Sequence, residues 1–163
     1  MQNSLTIRPI TPAELPILED ILYEAIYQPD PDNLIPRSVL DIPEVNAYIK
    51  DFGQWPHDYC LIAEAGQQIA GAVWVRIIAG PVTGYGNIDA DTPEFSIALF
   101  PQYRNRGIGT KLMEEMLHYL KKHGYAQTSL SVHKGNVAIH MYERVGFRVI
   151  EDREEDYLMV CKL

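Results

Sequence analysis

The most regular pattern of apolar and polar residues lies in the second half of the chain. Four apolar residues recur there at four-residue spacing, with lysines and glutamates between them: Ile108, Leu112, Met116 and Leu120. This spacing places all four on one face of a helix whose opposite face is polar. We therefore predict a helix over Gly107–His123 that ends at Gly124, since glycine commonly follows the last residue of a helix.

The first third of the chain predicts one strand and two helices. Leu5–Pro9 has the pattern of a short strand. The segment Thr11–Glu14 combines a capping threonine, a proline at the first helical position and a glutamate three residues after the cap. We predict a helix over Pro12–Tyr27 and then a loop over Gln28–Pro36, because its three prolines cannot continue a helix. A second short helix is predicted over Pro43–Lys50.

Two apolar runs in the middle of the chain predict a hairpin. Asp58–Ala65 and Gln68–Ile78 are rich in β-branched residues and are separated by Gly66-Gln67, which fits a tight turn between antiparallel strands. Ala79–Pro93 is a glycine- and aspartate-rich loop whose length suggests a functional role. Glu94–Phe100 is the next predicted strand.

The rest of the chain predicts three strands and a short helix. The strands are Gln127–His133, Phe147–Ile150 and Tyr157–Lys162, and the helix is Asn136–Arg144. Because no repeat or linker interrupts the chain, residues 1–163 are expected to form a single domain. The order of elements predicts an α/β (α+β) fold, with a mixed, largely antiparallel sheet of about seven strands and helices on both faces.

The composition is that of a globular protein, with 47% hydrophobic and 22% charged residues. A formal net charge of −8 repels phosphate backbones and anionic membranes, so neither nucleic acid nor a membrane is an expected partner. Cys60 and Cys161 lie in apolar stretches and are expected to be buried thiols in a reducing compartment. No signal-peptide pattern opens the chain and no stretch approaches about 18 apolar residues, which predicts a soluble, cytoplasmic protein.

One turn between a predicted strand and a predicted helix has the features of a phosphate site. It runs from Pro101 to Thr110 and has two glycines where it enters the helix. Free N–H groups and the positive end of the helix dipole attract anions there, and Arg104 and Arg106 can add charge-assisted bonds. The other interpretation is an ordinary helix start with two solvated arginines.

Two other phosphate-binding motifs are excluded by the same turn. A dinucleotide fingerprint needs a third glycine where Leu112 stands. A P-loop needs Gly-Lys-Ser/Thr, whereas the chain has Gly109-Thr110-Lys111. The turn therefore matches neither a dinucleotide site nor a P-loop.

Two motifs, one in this turn and one further along the chain, carry a resemblance to a known family. The first is Pro101-x-Tyr103-Arg104-x-Arg106-Gly107-Ile108-Gly109-x-x-Leu112, directly after a strand. The second is Asn136-Val137-Ala138-Ile139-x-x-Tyr142-Glu143-x-x-Gly146-Phe147. The first is similar to the acetyl-CoA signature R/Q-x-x-G-x-G/A of the GNAT superfamily of N-acetyltransferases, and the second resembles that superfamily's next motif. By element order the resemblance covers Leu5–Leu163, and at motif level Glu94–Phe147.

The resemblance implies a GNAT-like fold and a set of contacts to acetyl-CoA as co-substrate. The strand Glu94–Phe100 would splay from its neighbour at a bulge, so that backbone groups of Ile97, Ala98 and Leu99 pair with pantetheine. Asn136 would contact the cofactor from the second motif. The residues implied to hold the pyrophosphate are Arg104, Asn105, Arg106, Gly107, Ile108, Gly109 and Thr110.

Two residues are candidates for moving protons. The resemblance points Tyr142 at the cofactor's sulfur, and a phenol with an ordinary pKa of about 10 stays protonated at neutral pH and can protonate a departing thiolate. Glu94 opens the strand that would run under the acetyl group, where a carboxylate could take the amine's proton. The structural alternatives are a core tyrosine bonded to a backbone group and a solvated glutamate at a strand end.

These features predict an N-acetyltransferase that moves an acetyl group from acetyl-CoA to a primary amine by direct attack in a ternary complex, because neither motif contains a nucleophile. The alternatives are a non-catalytic acyl-CoA-binding or regulatory module and a transferase that uses another acyl-CoA. The acceptor is expected to be a small-molecule or peptide amine selected by Gln28–Asp51 and Ala79–Pro93, where Asp89 and Asp91 either meet a cation or are solvated. The five histidines lack the spacing of metal ligands, so no metal is expected. A homodimer is possible on the sequence alone.

Overall fold

The computed structural model describes residues 4–163, and its elements follow the predicted order. The strands are β1 (Leu5–Pro9), β2 (Tyr59–Ala65), β3 (Gln68–Arg76), β4 (Glu94–Leu99), β5 (Gln127–His133), β6 (Arg148–Asp152) and β7 (Asp156–Lys162). The helices are α1 (Ile17–Ala25), α2 (Pro43–Asn46), α3 (Ile108–Lys122) and α4 (Ile139–Val145). Three short 3₁₀ turns cover Pro12–Glu14, Arg37–Asp41 and Pro101–Tyr103.

All of these strands join one sheet, in the order β1-β2-β3-β4-β5-β7-β6. Every neighbouring pair is antiparallel except β4 and β5, which run parallel because α3 carries the chain back between them. The predicted α/β (α+β) fold with a mixed, largely antiparallel sheet is therefore confirmed.

Two separate layers of side chains cover the two faces of the sheet, because successive residues of a strand point to opposite faces. The face under α3 and α4 is formed by buried residues that include Val73, Phe95, Leu112, Met116 and Phe147. The face under α1 is formed by buried residues that include Leu18, Ile21, Ile62, Trp74 and Ala98. Helices on both faces were expected from the sequence, and the structure confirms them.

The predicted helix over Pro12–Tyr27 is wrong in its first turns. Pro16 has no N–H for the carbonyl four residues earlier, so Pro12–Glu14 closes as a separate 3₁₀ turn and α1 begins only at Ile17. The capping pattern is nevertheless present, since the Thr11 N–H donates to Glu14 Oε1 at 2.9 Å. The other helices agree with the predictions except at their ends: α2 stops at Asn46 and α4 starts at Ile139.

The cysteines and the long loop behave as expected. Cys60 and Cys161 are both buried and free, as predicted for core thiols. Residues 77–93 contain no helix or strand. No helix within residues 4–163 has both the length and the apolar content needed to cross a membrane.

Candidate active site

β4 and β5 lie side by side at one end only. Their ladder has a single paired position, Glu94 opposite Ser129. The Ser129 N–H and the Thr128 hydroxyl hold this end together by donating to the carbonyl of Pro93, at 3.1 and 2.8 Å. Beyond it β4 stays with β3 and β5 stays with β7, so a wedge opens between the two parallel strands.

The expected bulge is not what separates the two strands. The β3–β4 register runs without a shift from Gly71 opposite Leu99 to Arg76 opposite Glu94. The separation arises because β5 pairs along its whole length with β7, which draws it away from β4. The two strands therefore splay as expected, but the cause is the pairing of β5 with β7 and not a bulge in β4.

The open edge of β4 carries backbone groups from alternate residues. The Phe100 N–H donates to the Ala70 carbonyl of β3 at 2.9 Å, and Ala98, two residues earlier, faces β3 as well. The Ala98 carbonyl lies so close to Gly71 that a Cβ there would overlap it. Ile97 and Leu99 therefore direct their backbone groups into the wedge, while those of Ala98 are used within the sheet.

The turn before α3 has the left-handed backbone that an anion cradle needs. Asn105 and Gly107 have φ values of 62° and 80°, and the first hydrogen bond of the helix runs from Lys111 N–H to the Gly107 carbonyl. The N–H groups of Ile108, Gly109 and Thr110 are therefore left without partners inside the helix, at its positive end.

The two arginines of this turn differ in their surroundings. Arg104 donates through Nε to the Leu99 carbonyl at 3.1 Å and through Nη2 to Glu24 of α1 at 3.0 Å. Arg106 is exposed, and no hydrogen bond or ion pair to its side chain occurs within the described part of the chain. Arg104 thus ties the turn to β4 and α1, and Arg106 is available to a ligand.

The two glycines of the motif have different roles. A Cβ on Gly107 would meet nothing within 4 Å, so the positive φ is what this position requires. Gly109 is buried, and a Cβ on it would lie 3.3 Å from the sulfur of Met141 in α4. Gly109 therefore allows α3 and α4 to pack closely.

Glu94 is buried at the closed end of the wedge, with 3% of its surface exposed. Its Oε2 accepts a hydrogen bond from the Tyr48 hydroxyl, and its Oε1 has no hydrogen-bond partner among the described residues. The loop backbone packs directly on the carboxyl, since a Cβ on Gly84 would overlap Oε1 and one on Gly86 would lie 3.0 Å from Cδ. The alternative of a solvated strand-end glutamate is therefore wrong.

Burial raises the pKa of Glu94 to about 7. The hydrogen bond from Tyr48, the nearby N–H of Gly86 and the charge of Arg153 each limit this rise. A carboxyl with this pKa can both take up and release a proton near neutral pH.

Tyr142 lies on the other face of the sheet from Glu94. Ala98 belongs to the buried layer under α1 and Phe95 to the layer under α3, so the alternation along β4 puts Glu94 on the α1 face. Tyr142 belongs to the layer under α3, with its ring edge-on to Phe147 at 6.0 Å between centroids. Burial raises the pKa of its phenol to about 12, and no hydrogen bond contributes to that shift.

The comparison with protein families agrees with this geometry. The model of the acetyltransferase (GNAT) family matches residues 23–147, which is more than half of the chain. This chain belongs to the GNAT family.

Its curated relatives match the GNAT chain over limited segments. The [ribosomal protein bS18]-alanine N-acetyltransferase of Haemophilus influenzae is 33% identical over 63 residues, which is 39% of this chain and 43% of that protein. The mycothiol acetyltransferase of Corynebacterium glutamicum is 32% identical over 91 residues, which is 53% of this chain and 27% of that protein. The chain thus spans less than half the length of these relatives.

Solved GNAT structures match over nearly the whole chain. The PaiA N-acetyltransferase from Thermoplasma acidophilum, in complex with coenzyme A, covers 98% of this chain and 99% of its own at a TM-score of 0.69 and 23% identity. The ribosomal-protein-S18-alanine N-acetyltransferase from Escherichia coli covers 98% of this chain and 94% of its own at a TM-score of 0.67 and 19% identity. At these identities the likeness shows the GNAT fold.

The second motif of this GNAT chain forms the turn that leads into α4. Asn136 Oδ1 accepts the Ala138 N–H at 2.9 Å, so its oxygen shapes the turn and its amide nitrogen is the group left for a ligand. Just before it, the ring of His133 stacks on that of Tyr27 with centroids 4.5 Å apart. Because Tyr27 follows α1, the chain after α1 reaches across to the end of β5, on the far side of the wedge.

The two loops expected to select the acceptor are joined beside Glu94 by the hydroxyl of Tyr48. Tyr48 lies in the predicted segment Gln28–Asp51, and its hydroxyl accepts the N–H of Tyr85 from the loop Ala79–Pro93 at 2.9 Å. Asp89 and Asp91 are exposed, and Asp89 Oδ1 accepts the Asp91 N–H at 2.9 Å. No group of three or more metal-binding side chains occurs among residues 4–163.

Sequence reasoning missed Tyr48, Tyr85 and Arg153. The Arg153 guanidinium donates to the Tyr85 carbonyl at 2.6 Å and thereby holds the loop that covers Glu94. These residues stand in no motif and are far apart in the sequence, so no sequence signal marked them. A surface cleft of about 590 Å³ beside Leu15, Ile49 and Phe52 contains none of the predicted site residues.

Proposed function

We propose that this protein transfers an acetyl group from acetyl-CoA to a primary amine by direct attack in a ternary complex. The observation that carries the proposal is the buried carboxyl of Glu94, which has one unpartnered oxygen at the point where β4 and β5 separate. A non-catalytic acyl-CoA module would have no need of an acid–base group desolvated in this place, because burying an unpaired carboxyl destabilises a fold.

The wedge and the turn before α3 fit the donor. The open backbone edge offers both groups of Ile97 and the N–H of Leu99, whose carbonyl accepts Arg104, to the amides of pantetheine, with Ala98 between them. The free N–H groups at the start of α3, together with Arg106, suit a pyrophosphate. Asn136 and the remaining turn residues line the same end of the wedge. Bound there, acetyl-CoA supplies an acetyl thioester.

Glu94 acts as the general base in this proposal. Its Oε1 lies under the backbone of Gly84, so it accepts the proton that the ammonium form of the acceptor must lose only when this covering loop moves aside. Because Glu94 lies on the α1 face, the acceptor approaches from that side, between the loops that meet at Tyr48. Glu94 then releases the proton to solvent, which its pKa of about 7 permits.

Tyr142 acts as the general acid. A phenol whose pKa is raised to about 12 stays protonated at neutral pH, so its hydroxyl can give a proton to the sulfur as the C–S bond breaks and the N–C bond forms. The amine's second proton goes to solvent, and Tyr142 regains a proton from solvent, so that one proton is released in total.

The acceptor is a small-molecule or peptide amine. The net charge of −8 favours a cationic acceptor, and the relatives named above act on an alanine of a ribosomal protein and in mycothiol acetylation. The free, buried cysteines support a reducing, cytoplasmic compartment. We further propose that residues 1–163 act as one domain.

The test is a binding measurement followed by an acceptor panel. Calorimetry should show binding of acetyl-CoA and none of NAD or ATP, and acetyl-CoA should raise the melting temperature with its concentration. The panel contains an alanine-terminated hexapeptide, spermidine, an aminoglycoside and lysine, with products identified by mass. Propionyl- and succinyl-CoA run in parallel as donors. Binding without any acylated product would favour the regulatory module instead.

A further inference from the structure

The Tyr48 hydroxyl lies between the Glu94 carboxyl and the loop that covers it. It accepts the Tyr85 N–H at 2.9 Å and donates to Glu94 Oε2. A backbone N–H can only donate, and a phenol has a single proton, so the direction of both hydrogen bonds is determined. Oε2 is thus an occupied acceptor, whereas Oε1, which lies under the backbone of Gly84, has no hydrogen-bond partner among the described residues.

The segment that carries Tyr48 is held from β3 by its neighbours. The Trp74 indole donates to the Tyr48 carbonyl at 3.0 Å. Arg76 donates through Nη1 to the carbonyls of Ala47 and Lys50, both at 2.8 Å. Three backbone carbonyls around one tyrosine are therefore bonded to two buried side chains of β3, which limits how far its hydroxyl can move.

We propose that Tyr48 is a positioning residue, whose hydroxyl fixes Glu94 Oε2 and so leaves Oε1 as the single oxygen that takes a proton from the acceptor. This inference rests on the proposed function, since it assumes that Glu94 is the base. The segment after α2 then orients the base in addition to selecting the acceptor.

Two titratable side chains influence the Glu94 carboxyl: Tyr48 from the segment after α2 and Arg153 from the turn between β6 and β7. The covering loop adds a neutral donor, the N–H of Gly86. Burial raises the pKa of the Tyr48 phenol, as does the charge of Glu94, so Tyr48 stays a donor at neutral pH. Because its hydrogen bond stabilises the ionised carboxylate, removing the hydroxyl should raise the pKa of Glu94 further.

The test compares Tyr48→Phe with Tyr125→Phe, which removes a phenol hydroxyl that bonds His57 and neither Glu94 nor Tyr48. Glutamate labelled with ¹³C at the carboxyl is incorporated, and Glu94→Gln assigns the Glu94 signal. In the free protein, Tyr48→Phe should raise the titration midpoint of this signal by about one pH unit, or about tenfold in proton affinity. Tyr125→Phe should leave the midpoint where it is.

The kinetic arm uses acetyl-CoA with spermidine and with the alanine-terminated hexapeptide. The acid limb of the kcat/KM profile should move to higher pH with Tyr48→Phe, kcat/KM at pH 7 should fall by about fivefold, and the Kd for acetyl-CoA should not change. An unchanged NMR midpoint would overturn the positioning role, whatever the kinetics show. A wild-type protein that acetylates neither amine contradicts the proposed function for these acceptors, and the NMR titration then decides on Tyr48 alone.

Discussion

Arg76 and Asp58 form a bidentate ion pair that the protein encloses completely. Arg76 Nε and Nη2 donate to the two carboxylate oxygens at 3.0 and 2.8 Å, and each side chain is only 1% exposed. The guanidinium also stacks on the ring of Trp55, at 3.7 Å from the centroid. Every polar group of the pair is used, and the same arginine holds the backbone on both sides of Tyr48.

Asp58→Ala should therefore destabilise the fold strongly. It leaves the Arg76 charge buried without its partner, which typically costs about 3 to 5 kcal/mol of unfolding free energy. The control is Asp20→Ala, which removes an ion pair with Arg37 whose side chains are more than half exposed and should cost at most about 1 kcal/mol. Urea unfolding measures both, and equal losses would contradict the role given to the buried pair.

Replacing Gly109 tests packing more than phosphate binding. In Gly109→Val the new Cβ would lie 3.3 Å from Met141 Sδ, and the added methyl groups should cost about 1 to 3 kcal/mol of unfolding free energy. Gly107→Ala faces open space and should lose about 1 to 2 kcal/mol through backbone strain alone. Adding Met141→Ala to Gly109→Val should restore part of the loss, and no recovery would mean that Met141 is not what the valine meets.

Arg106→Gln is the cleaner test of the phosphate turn. It removes a charge from an exposed side chain, so stability should hardly change, while the Kd for acetyl-CoA should rise by about three- to tenfold. Arg144→Gln, an exposed arginine in the last turn of α4, is the matched control. Calorimetry at low and high salt should show that the difference between the two variants shrinks as salt rises. Identical affinities for both variants would remove Arg106 from the site.

Tyr142→Phe should distinguish a Tyr142 that donates a proton from one that only packs in the core. The ring and its packing on Phe147 stay, and no hydrogen bond of the hydroxyl is lost, so the unfolding free energy should change by less than about 1 kcal/mol. If the phenol protonates the departing thiolate, kcat should fall by about 10²-fold or more with little change in acetyl-CoA affinity. Near-normal turnover would end the proton-donor role and leave the donor site unaffected.

Glu94→Gln should change how stability depends on pH. The pKa of Glu94 rises from about 4.5 to about 7 on folding, so between these values the folded protein binds a proton that the unfolded chain has released. Wild-type stability therefore falls as pH rises through this window, by about 3 kcal/mol in all. The variant lacks this titration and should gain that amount relative to wild type between about pH 4 and about pH 8.

Urea unfolding at several pH values measures this gain. Glu115→Gln, on the exposed side of α3, is the control and should follow the wild-type curve. A constant difference between Glu94→Gln and wild type would show that Glu94 titrates normally, and the general base would then have to be sought elsewhere.

The helix over Gly107–His123 and the two motifs around it were predictable from the sequence. Each depends on residues that are close together in the chain: an apolar repeat, glycines at a helix entry, and a tyrosine inside a short motif. The element order, and with it the fold, followed from the same local signals. The predicted helix over Pro12–Tyr27 fails for a local reason as well, since Pro16 lacks the N–H that would join the capped turn to α1.

The environment of each functional group was decided by the tertiary structure. Glu94 is a strand-opening glutamate in the sequence, and its carboxyl is buried only because Tyr48 and the loop at Gly84 close over it from distant parts of the chain. Gly109 fits a phosphate motif, yet its neighbour in space is Met141 of another helix. Desolvation and hydrogen-bond direction depend on what packs around an atom, and a residue's type and local spacing do not determine this.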